Sequence, residues 1–485
     1  MIKTTERILE NYLSEIFTSS ESLLIPHVAP IQIYKNLKKY SNSSFVTELT
    51  YNNRRIAVVC CESLYNIWIK NNEMQIYDSN NQLICNFKGA SYESLAHINF
   101  LFKDTLKDFE CIGQSIFALV SYDMARQFEN RLNYNHTTNN IPDIWAVVPK
   151  VALVIDYDTY DTKIVINNLE RKLGKTEVNQ IIRAYQKEIL SCSFPKNLSN
   201  GEKSDLAVKP QFNISKNKFC KMVEKAKEYI KAGDIFQVVL SVEAFIHTNN
   251  VPEDIFYYMC EANRGTTNFL INTKEFSMIG ATPEILVEKI GQKCIIKPLA
   301  GTIAHNGGKD YEKERELLNN EKNCAEHRML VDLARNDLGR VCKYNSVLPE
   351  ELMKIEYYYS VMHIVSKIIG GIEENKSNFD LFKACFPAGT MTGAPKIRAM
   401  EIIDELETKS RGFYAGGLGF FMANDDLLTS IVIRSITIID NIAYARAGAG
   451  IVYDSIPEEE YYECLNKLQN ALVTLSKGDT CDFSN

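Results

Sequence analysis

The stretch Ala447–Lys467, AGAGIVYDSIPEEEYYECLNK, places a small-residue strand before a helix that opens at Pro457. Proline suits the first helical turn, where its missing N–H costs nothing. In the helix that the spacing predicts over Glu458–Leu475, Glu460, Glu463 and Lys467 stand at i, i+3 and i+7. At 3.6 residues per turn they fall within about 60° of one another. Tyr461, Leu465, Leu468 and Leu472 form the opposite, apolar stripe and are expected to pack inward. Two readings of the charged face stand side by side: a solvated Glu–Lys pair, or side chains turned toward a ligand. The glycines also admit two: a tight turn, or a backbone that approaches a ligand closely and aims N–H groups at carboxylate oxygens.

Working outward, Gly417–Met422, Thr429–Ile438 and Ala443–Ala447 read as strands, and Tyr311–Leu318, Glu321–Leu333 and Ile397–Leu406 as helices. Phe219, Met222, Val223, Ala226 and Ile230 keep the helical period until Gly233 breaks it, and Ile235–Leu240 is β-rich. Further upstream, Arg55–Cys61 and Val147–Ile155 read as strands, Tyr92–Phe109 and Val178–Leu190 as helices. Met1–Ser20 carries Glu6, Glu10 and Glu15 among apolar residues and reads as an amphipathic helix, not a signal peptide. Strands and helices without steady βαβ alternation predict an α+β fold, a multilayer α/β sandwich with antiparallel sheets flanked by helices. The Ser, Pro, Lys and Asn-rich run Ser191–Pro210 reads as a linker, dividing an N-terminal region (1–205) from a catalytic domain (206–480). Asn133–Asn140 reads as a surface loop.

Composition narrows the function. The 485 residues are 45% apolar and 24% charged, an ordinary globular balance. The 54 Lys and Arg against 61 Asp and Glu leave −7, which argues against nucleic-acid and anionic-membrane partners. Thirteen cysteines without a CxxC spacing fit reduced thiols used as small apolar residues. No apolar run approaches a membrane span, so a cytoplasmic location is expected.

Glu326 and His327, followed by Asp332, Arg335, Asn336 and Asp337, give a second polar helix. Carboxylates facing across two helices would make a hard-oxygen site suited to Mg²⁺. A second Gly-rich stretch, PAGTMTGAPK (Pro387–Lys396), is neither a Walker A loop nor a dinucleotide fingerprint. The Cys111 turn ECIGQS lacks a nearby His or Gly pattern and reads as a buried thiol; His327 reads as a helix-surface or supporting residue.

Five stretches then occur in order: IKPLAGT (Ile296–Thr302), AEHRMLVDLARNDLGRV (Ala325–Val341), VMHIVS (Val361–Ser366), CFPAGTMTGAPKIRAMEIIDELE (Cys385–Glu407) and the opening segment. Together they resemble the chorismate-utilising enzymes, and within them the large components (component I) of anthranilate synthases. The resemblance is dense over Gln211–Lys477 and thinner at LLIPHVAPIQIYKNL (Leu23–Leu37). It implies that Glu326 and Glu463 hold Mg²⁺ with Glu460 close by. It implies that Ala300, Gly301, Thr302, Thr390, Tyr414, Arg434, Gly448, Ala449, Gly450 and Lys467 hold chorismate. Glu284 would protonate the C4 hydroxyl, and His363 would serve the final loss of the C2 proton. Asn323 stands where the family usually has another acid, which removes one negative charge from the metal site.

Two positions bear on the nucleophile. Water-using relatives carry a lysine base where this chain has Gln237, and an amide is no base. Aminodeoxychorismate synthases carry a lysine nucleophile where this chain has Ala300. Both point to ammonia adding at C2, giving anthranilate and pyruvate, the first committed step toward tryptophan. Alternatives are 2-amino-2-deoxyisochorismate synthase, aminodeoxychorismate synthase component I and a non-catalytic chorismate-binding homologue. No glutaminase segment is visible, so a separate glutamine amidotransferase subunit is expected to supply ammonia. Tryptophan-regulated relatives have an LLES segment and a PYM triplet; here Leu49 replaces the serine, and Thr266, Thr267 and Asn268 the triplet, which implies a vestigial regulatory site and weak feedback. SVEAF (Ser241–Phe245) replaces the family's SQRF.

Overall fold

The computed structural model describes residues 9–476 except 10–11, 24–27, 39–42, 90–91, 104–105, 107, 133–140, 193–208, 263–264, 306–309 and 358–360. Most of the linker Ser191–Pro210 and the whole loop Asn133–Asn140 lie outside the described residues. The twenty-two described strands make one hydrogen-bonded network whose named pairings are antiparallel.

Two long strands, Arg54–Lys70 and Ile144–Asp156, turn the corner that converts this network into two stacked sheets. Their register shifts between Cys60 and Tyr65, opposite Val148–Val151. Pro149 sits inside the irregularity, where a residue with no N–H interrupts no regular ladder. One half of the pair continues through Ser44–Tyr51, Thr267–Asn272, Ser277–Thr282, Ser435–Ile439 and Ile442–Ile451 to Gln237–His247. The other continues through Ser115–Val120, Gly417–Met422, Leu427–Ile431, Ile285–Ile290 and Lys293–Ile296 to Val361–Gly371. Two of these pairings, at Thr267–Asn272 and at Gly417–Met422, join segments from opposite sides of residue 205.

Alternation along the strands builds the layers. Phe45, Val58, Cys60, Phe117, Leu119, Trp145, Phe269 and Phe420 fill the space between the sheets. Val46, Val59 and Leu270, on the alternate face, pack with helices Lys175–Leu190, Lys216–Ala232 and Pro457–Leu472. Leu286, Cys294 and Ile296 face helices Glu321–Gly339 and Asn378–Cys385. The result is helix, sheet, sheet, helix, the expected α+β sandwich. The apolar stripe of the last helix does pack inward: Leu468 and Leu472 are buried, and Tyr461 lies against Phe219. No described helix is long and apolar enough to cross a membrane.

Several hairpins turn on paired Asx residues in the left-handed region: Asn52–Asn53, Asn71–Asn72 and Asp440–Asn441. Both central residues at positive φ give the type I′ turn that matches strand twist. Helix Lys216–Ala232 is capped by the Ser215 hydroxyl and ended by Gly233 at φ 82°. Helix Glu321–Gly339 is capped by Asn320 and runs six residues beyond the expected end.

Three expectations are corrected. Ile16–Leu23 is a strand paired with Thr162–Leu169, so the amphipathic period of Met1–Ser20 does not continue to Ser20 as helix. Tyr92–Phe109 is not one helix: Glu93–Asn99 is helical, and the backbone of Leu101 and Lys103 then bonds Ile16. Thr429–Ile438 is two strands, broken where Arg434 adopts φ 49°.

Phe117 stacks on Phe45 at 4.0 Å and lies against Phe420 and Trp145. Phe117→Ala is expected to cost about 3–5 kcal/mol of unfolding free energy through lost burial and the cavity left behind. Urea unfolding measures it; a cost below ~1 kcal/mol would show that the two sheets close over the gap.

Candidate active site

The Ile442–Ile451 strand and the helix that follows it form one wall. The strand runs beside Gln237–His247, with Gly450 opposite Val239 and Gly448 opposite Ser241. Close approach explains both glycines. A Cβ on Gly448 would lie 2.8 Å from the Tyr414 hydroxyl, and one on Gly450 2.6 Å from the Gln237 amide nitrogen. Ala449, between them, is fully buried. From the helix, Lys467 donates to the Gly448 carbonyl at 2.9 Å and pairs with Glu463 at 2.7 Å. Both side chains are about half exposed, so this pair contributes little to stability. Glu460, one turn back, is buried, and burial followed by the charge of Glu463 raises its carboxyl above the ordinary range.

Gln237 reaches across to the other wall, donating to Glu326 Oε1 at 3.0 Å. Glu326 sits on helix Glu321–Gly339, which packs on the strand Leu299–Ala304. Gly301 makes that packing possible: at φ 66°, a Cβ there would meet Leu317 at 2.9 Å and Asn323 at 3.2 Å. Asn323, in the place of the family's acid, therefore lies against this glycine. Ala300 is buried, paired with Ile364. The neighbouring strand carries His363, whose Nδ1 donates to the Gly301 carbonyl at 2.8 Å, with Thr302 Oγ1 at 3.1 Å. A carbonyl only accepts, so Nδ1 bears the proton and Nε2 is the basic nitrogen of the neutral ring. Burial holds His363 below the usual imidazole range and so keeps the ring neutral.

Glu284 lies at the back. Burial raises its carboxyl to about 7, against the opposing Thr390 hydrogen bond (2.7 Å) and the charges of Arg434 and Lys467. Desolvation of this fully enclosed carboxyl is the largest influence and outweighs the two cations, of which Lys467 is half exposed. Arg434 points outward from the strand break, so the positive φ that interrupts the sheet is also what presents the guanidinium.

The expected site residues thus form one continuous set: Glu460–Glu463–Lys467–Gly448–Tyr414, Gln237–Glu326, and Thr390–Glu284–Arg434–His363. Among the described residues no three acidic, His or Cys side chains converge closely enough to enclose a metal ion. Glu326 on one helix and Glu460 and Glu463 on another are hard-oxygen donors of the kind Mg²⁺ takes, and Glu460 is buried beside the like charge of Glu463.

His327 is not at the helix surface. It is fully buried, bonded through Nε2 to Ser366 at 2.6 Å, and burial lowers it to about 4. Cys111 is buried, as expected, and burial raises its thiol to about 11. Leu49, Thr266 and Thr267 line one inter-sheet cleft, and Asn268 stands opposite Glu48 in the strand pairing. Their polar atoms bond within the protein: Thr266 to the Pro283 carbonyl, Thr267 to Ser430 and Asn268 to Glu48.

Sequence reading missed the support beneath these groups. Arg411, fully buried, donates to the Met391 and Val239 carbonyls and to both oxygens of Glu407. Lys396 binds both oxygens of buried Asp337 and the Cys385 carbonyl. The only available signal was a basic residue beside a glycine-rich turn, in SRGFYAGG and in GAPK.

The protonated Glu284 carboxyl should give an infrared C=O band that disappears between roughly pH 6 and pH 8 and is absent from Glu284→Gln. Thr390 bonds the charged form, so Thr390→Val should raise the pKa and move the loss upward by roughly one unit. A band lost near pH 4.5, as for an ordinary carboxyl, would contradict the burial argument.

The family model for the chorismate binding enzyme matches residues 68–473. An anthranilate synthase component 1 from Acetivibrio thermocellus is 40% identical, over 81% of this chain and 78% of its own length. An aminodeoxychorismate synthase component 1 from Bacillus subtilis is 36% identical, over 78% and 80%. The crystal structure of anthranilate synthase component I from Streptococcus pneumoniae superimposes with a TM-score of 0.74 at 30% identity, covering 87% of this chain and 93% of that one. With a family match over most of its length and relatives of this similarity, the chain belongs to the chorismate binding enzymes.

Proposed function

We propose that the chain is the large component of an anthranilate synthase, which converts chorismate and ammonia to anthranilate and pyruvate. The observation that carries this reading is the pair Gln237 and Ala300. Gln237 is an amide already donating to Glu326, and Ala300 is a buried methyl. Neither position offers a base to activate water or an amine to attack C2. Ammonia needs no activating base.

Chorismate is a dianion. Lys467, Arg434 and the Gly448–Gly450 backbone supply cations and N–H groups for its carboxylates, and Arg434 can engage one of them with two N–H bonds. Tyr414 closes the strand side. Glu326, Glu460 and Glu463 would hold Mg²⁺, which when bound neutralises the ring carboxylate and favours negative charge on the substrate. Glu284, half protonated near pH 7, gives its proton to the C4 hydroxyl as that group leaves. Ammonia bonds to C2. His363 then takes the C2 proton on Nε2 while the bond from the ring to the enolpyruvyl oxygen breaks, leaving an aromatic ring and the enolate of pyruvate, which takes up one proton at its methylene carbon and leaves as pyruvate. Its neutral state and the Nδ1–Gly301 bond suit it to accept that proton.

The component 1 names of the relatives support a separate subunit, which we read as a glutamine amidotransferase. The purified chain is expected to form fluorescent anthranilate and pyruvate from chorismate with ammonium and Mg²⁺, to stop with chelator, and to give no product from glutamine alone. Amination without pyruvate release would identify a 2-amino-2-deoxyisochorismate synthase instead. Glutamine-dependent turnover by the chain alone would refute the separate glutaminase.

Feedback by tryptophan is proposed to be weak. Leu49 offers no hydroxyl, and the polar atoms of Thr266, Thr267 and Asn268 already bond within the protein. An ammonium and indole entering there would have to break those bonds without replacement. Tryptophan is expected to leave the rate unchanged well above low-micromolar concentration; half-inhibition in the low-micromolar range would overturn this.

A further inference from the structure

Glu284 borders two spaces. On one side are Arg434 and Lys467, whose charges it feels, and the substrate cleft. On the other is a separate cavity bounded by Thr390 and Gly389, by Leu330, Leu333 and Ala334 of helix Glu321–Gly339, and by Lys297 and Asp337. About 40 Å³ of it can hold the centre of a water molecule, where one water needs roughly 10–15 Å³. Its walls are apolar in the middle, with Glu284 and Thr390 among its polar groups and the partly exposed Lys297 giving access toward solvent.

The chemistry proposed above creates a need for such a space. Each turnover moves one proton from Glu284 to the C4 hydroxyl, the C4–O bond breaks, and that oxygen leaves as water. The ammonium formed at C2 loses one proton in turn, so the overall reaction consumes no net proton. Glu284, however, is left as a carboxylate buried behind bound substrate, out of reach of the bulk through the filled cleft.

We propose that the cavity behind Glu284 is a water-filled passage through which this carboxyl is reprotonated and the departing water escapes; the proposal rests on the chorismate reading. Thr390 is the natural first link. Its hydroxyl donates to Glu284 Oε1 and keeps lone pairs to accept from a water in the passage. The Ile431 N–H bonds the Glu284 carbonyl and holds the residue in the dividing wall. Leu333 packs against Gly389, where a Cβ would come within 1.8 Å, so the space is narrow at that point; buried Ala334, one residue on, also lines it. Ala334 is not among the residues assigned to substrate or to proton transfer.

The test is to narrow the passage. Ala334→Leu should lower kcat roughly tenfold and enlarge the solvent deuterium isotope effect on kcat, with KM for chorismate within about twofold of wild type. Ala334→Ser, which adds a hydroxyl without blocking, should keep the wild-type rate. Thermal melting and chorismate affinity establish that the variants are folded, and Ala388→Leu narrows the same space from a second lining position should Ala334→Leu fail to fold. Wild-type kcat in the narrowed variants, or a lower kcat with an unchanged isotope effect, overturns the passage alone. A wild-type chain that never releases pyruvate from chorismate overturns the chorismate reading and the passage with it.

Discussion

The site depends on one buried guanidinium. Arg411 is buried beneath the cleft, its Cζ 4.8 Å from the centre of the Tyr122 ring and 5.8 Å from that of Tyr414. Its N–H groups go to three different places: the Val239 carbonyl within the Gln237 strand, the Met391 carbonyl beside Thr390, and Glu407. A charge in this position is tolerable only when every partner is in place. Glu407 supplies the counter-charge: burial opposes its ionisation, but Arg411 and Arg446 hold it below the usual carboxylate range. Glu407 also accepts from the backbone and hydroxyl of Ser241. The strand of Gln237, the loop of Thr390 and the ring of Tyr414 are thereby referred to one fixed point. Leaving such a charge uncompensated costs about 3–5 kcal/mol, so displacing any one of these elements is costly.

Above that point, burial and charge are divided between the residues that must change protonation and those that must not. Glu284 and His363 are both buried, and burial pushes both toward their neutral forms, the acid up and the imidazole down. Arg434 and Lys467 remain solvent-facing and charged. A dianion entering the cleft meets fixed cations at its carboxylates and uncharged proton-transfer groups at its reacting carbons.

Much of this was legible in the chain itself. The helix of Glu460, Glu463 and Lys467 obeys a clear period, and the close approaches at Gly448, Gly450 and Gly301 leave glycines as their trace. The type I′ hairpins leave paired Asx residues, a signal present in the sequence but passed over. What could not be read was set by distant partners. Arg434 breaks a run of β-formers because of its place against Ala281, whose N–H it accepts through its carbonyl. The replacement of SQRF by SVEAF had no consequence derivable from the sequence. In the fold, Glu243 stands directly across the strand pair from Arg446, with Lys409 3.7 Å away, so the acid is matched by cations some 170–200 residues downstream. No local pattern carries such a match.

The two pairings that span residue 205 bear on how the chain acquires this shape. Ser44–Tyr51 gains its second neighbour only from Thr267–Asn272, and Ser115–Val120 from Gly417–Met422, about three hundred residues later. Closing loops of that length precedes any gain from the contacts they permit. On a ribosome, the first two hundred residues emerge with sheet edges and an apolar inner face still uncovered. They wait for nearly the whole chain before the inter-sheet core can close, an interval in which nascent edges are open to pairing with other chains.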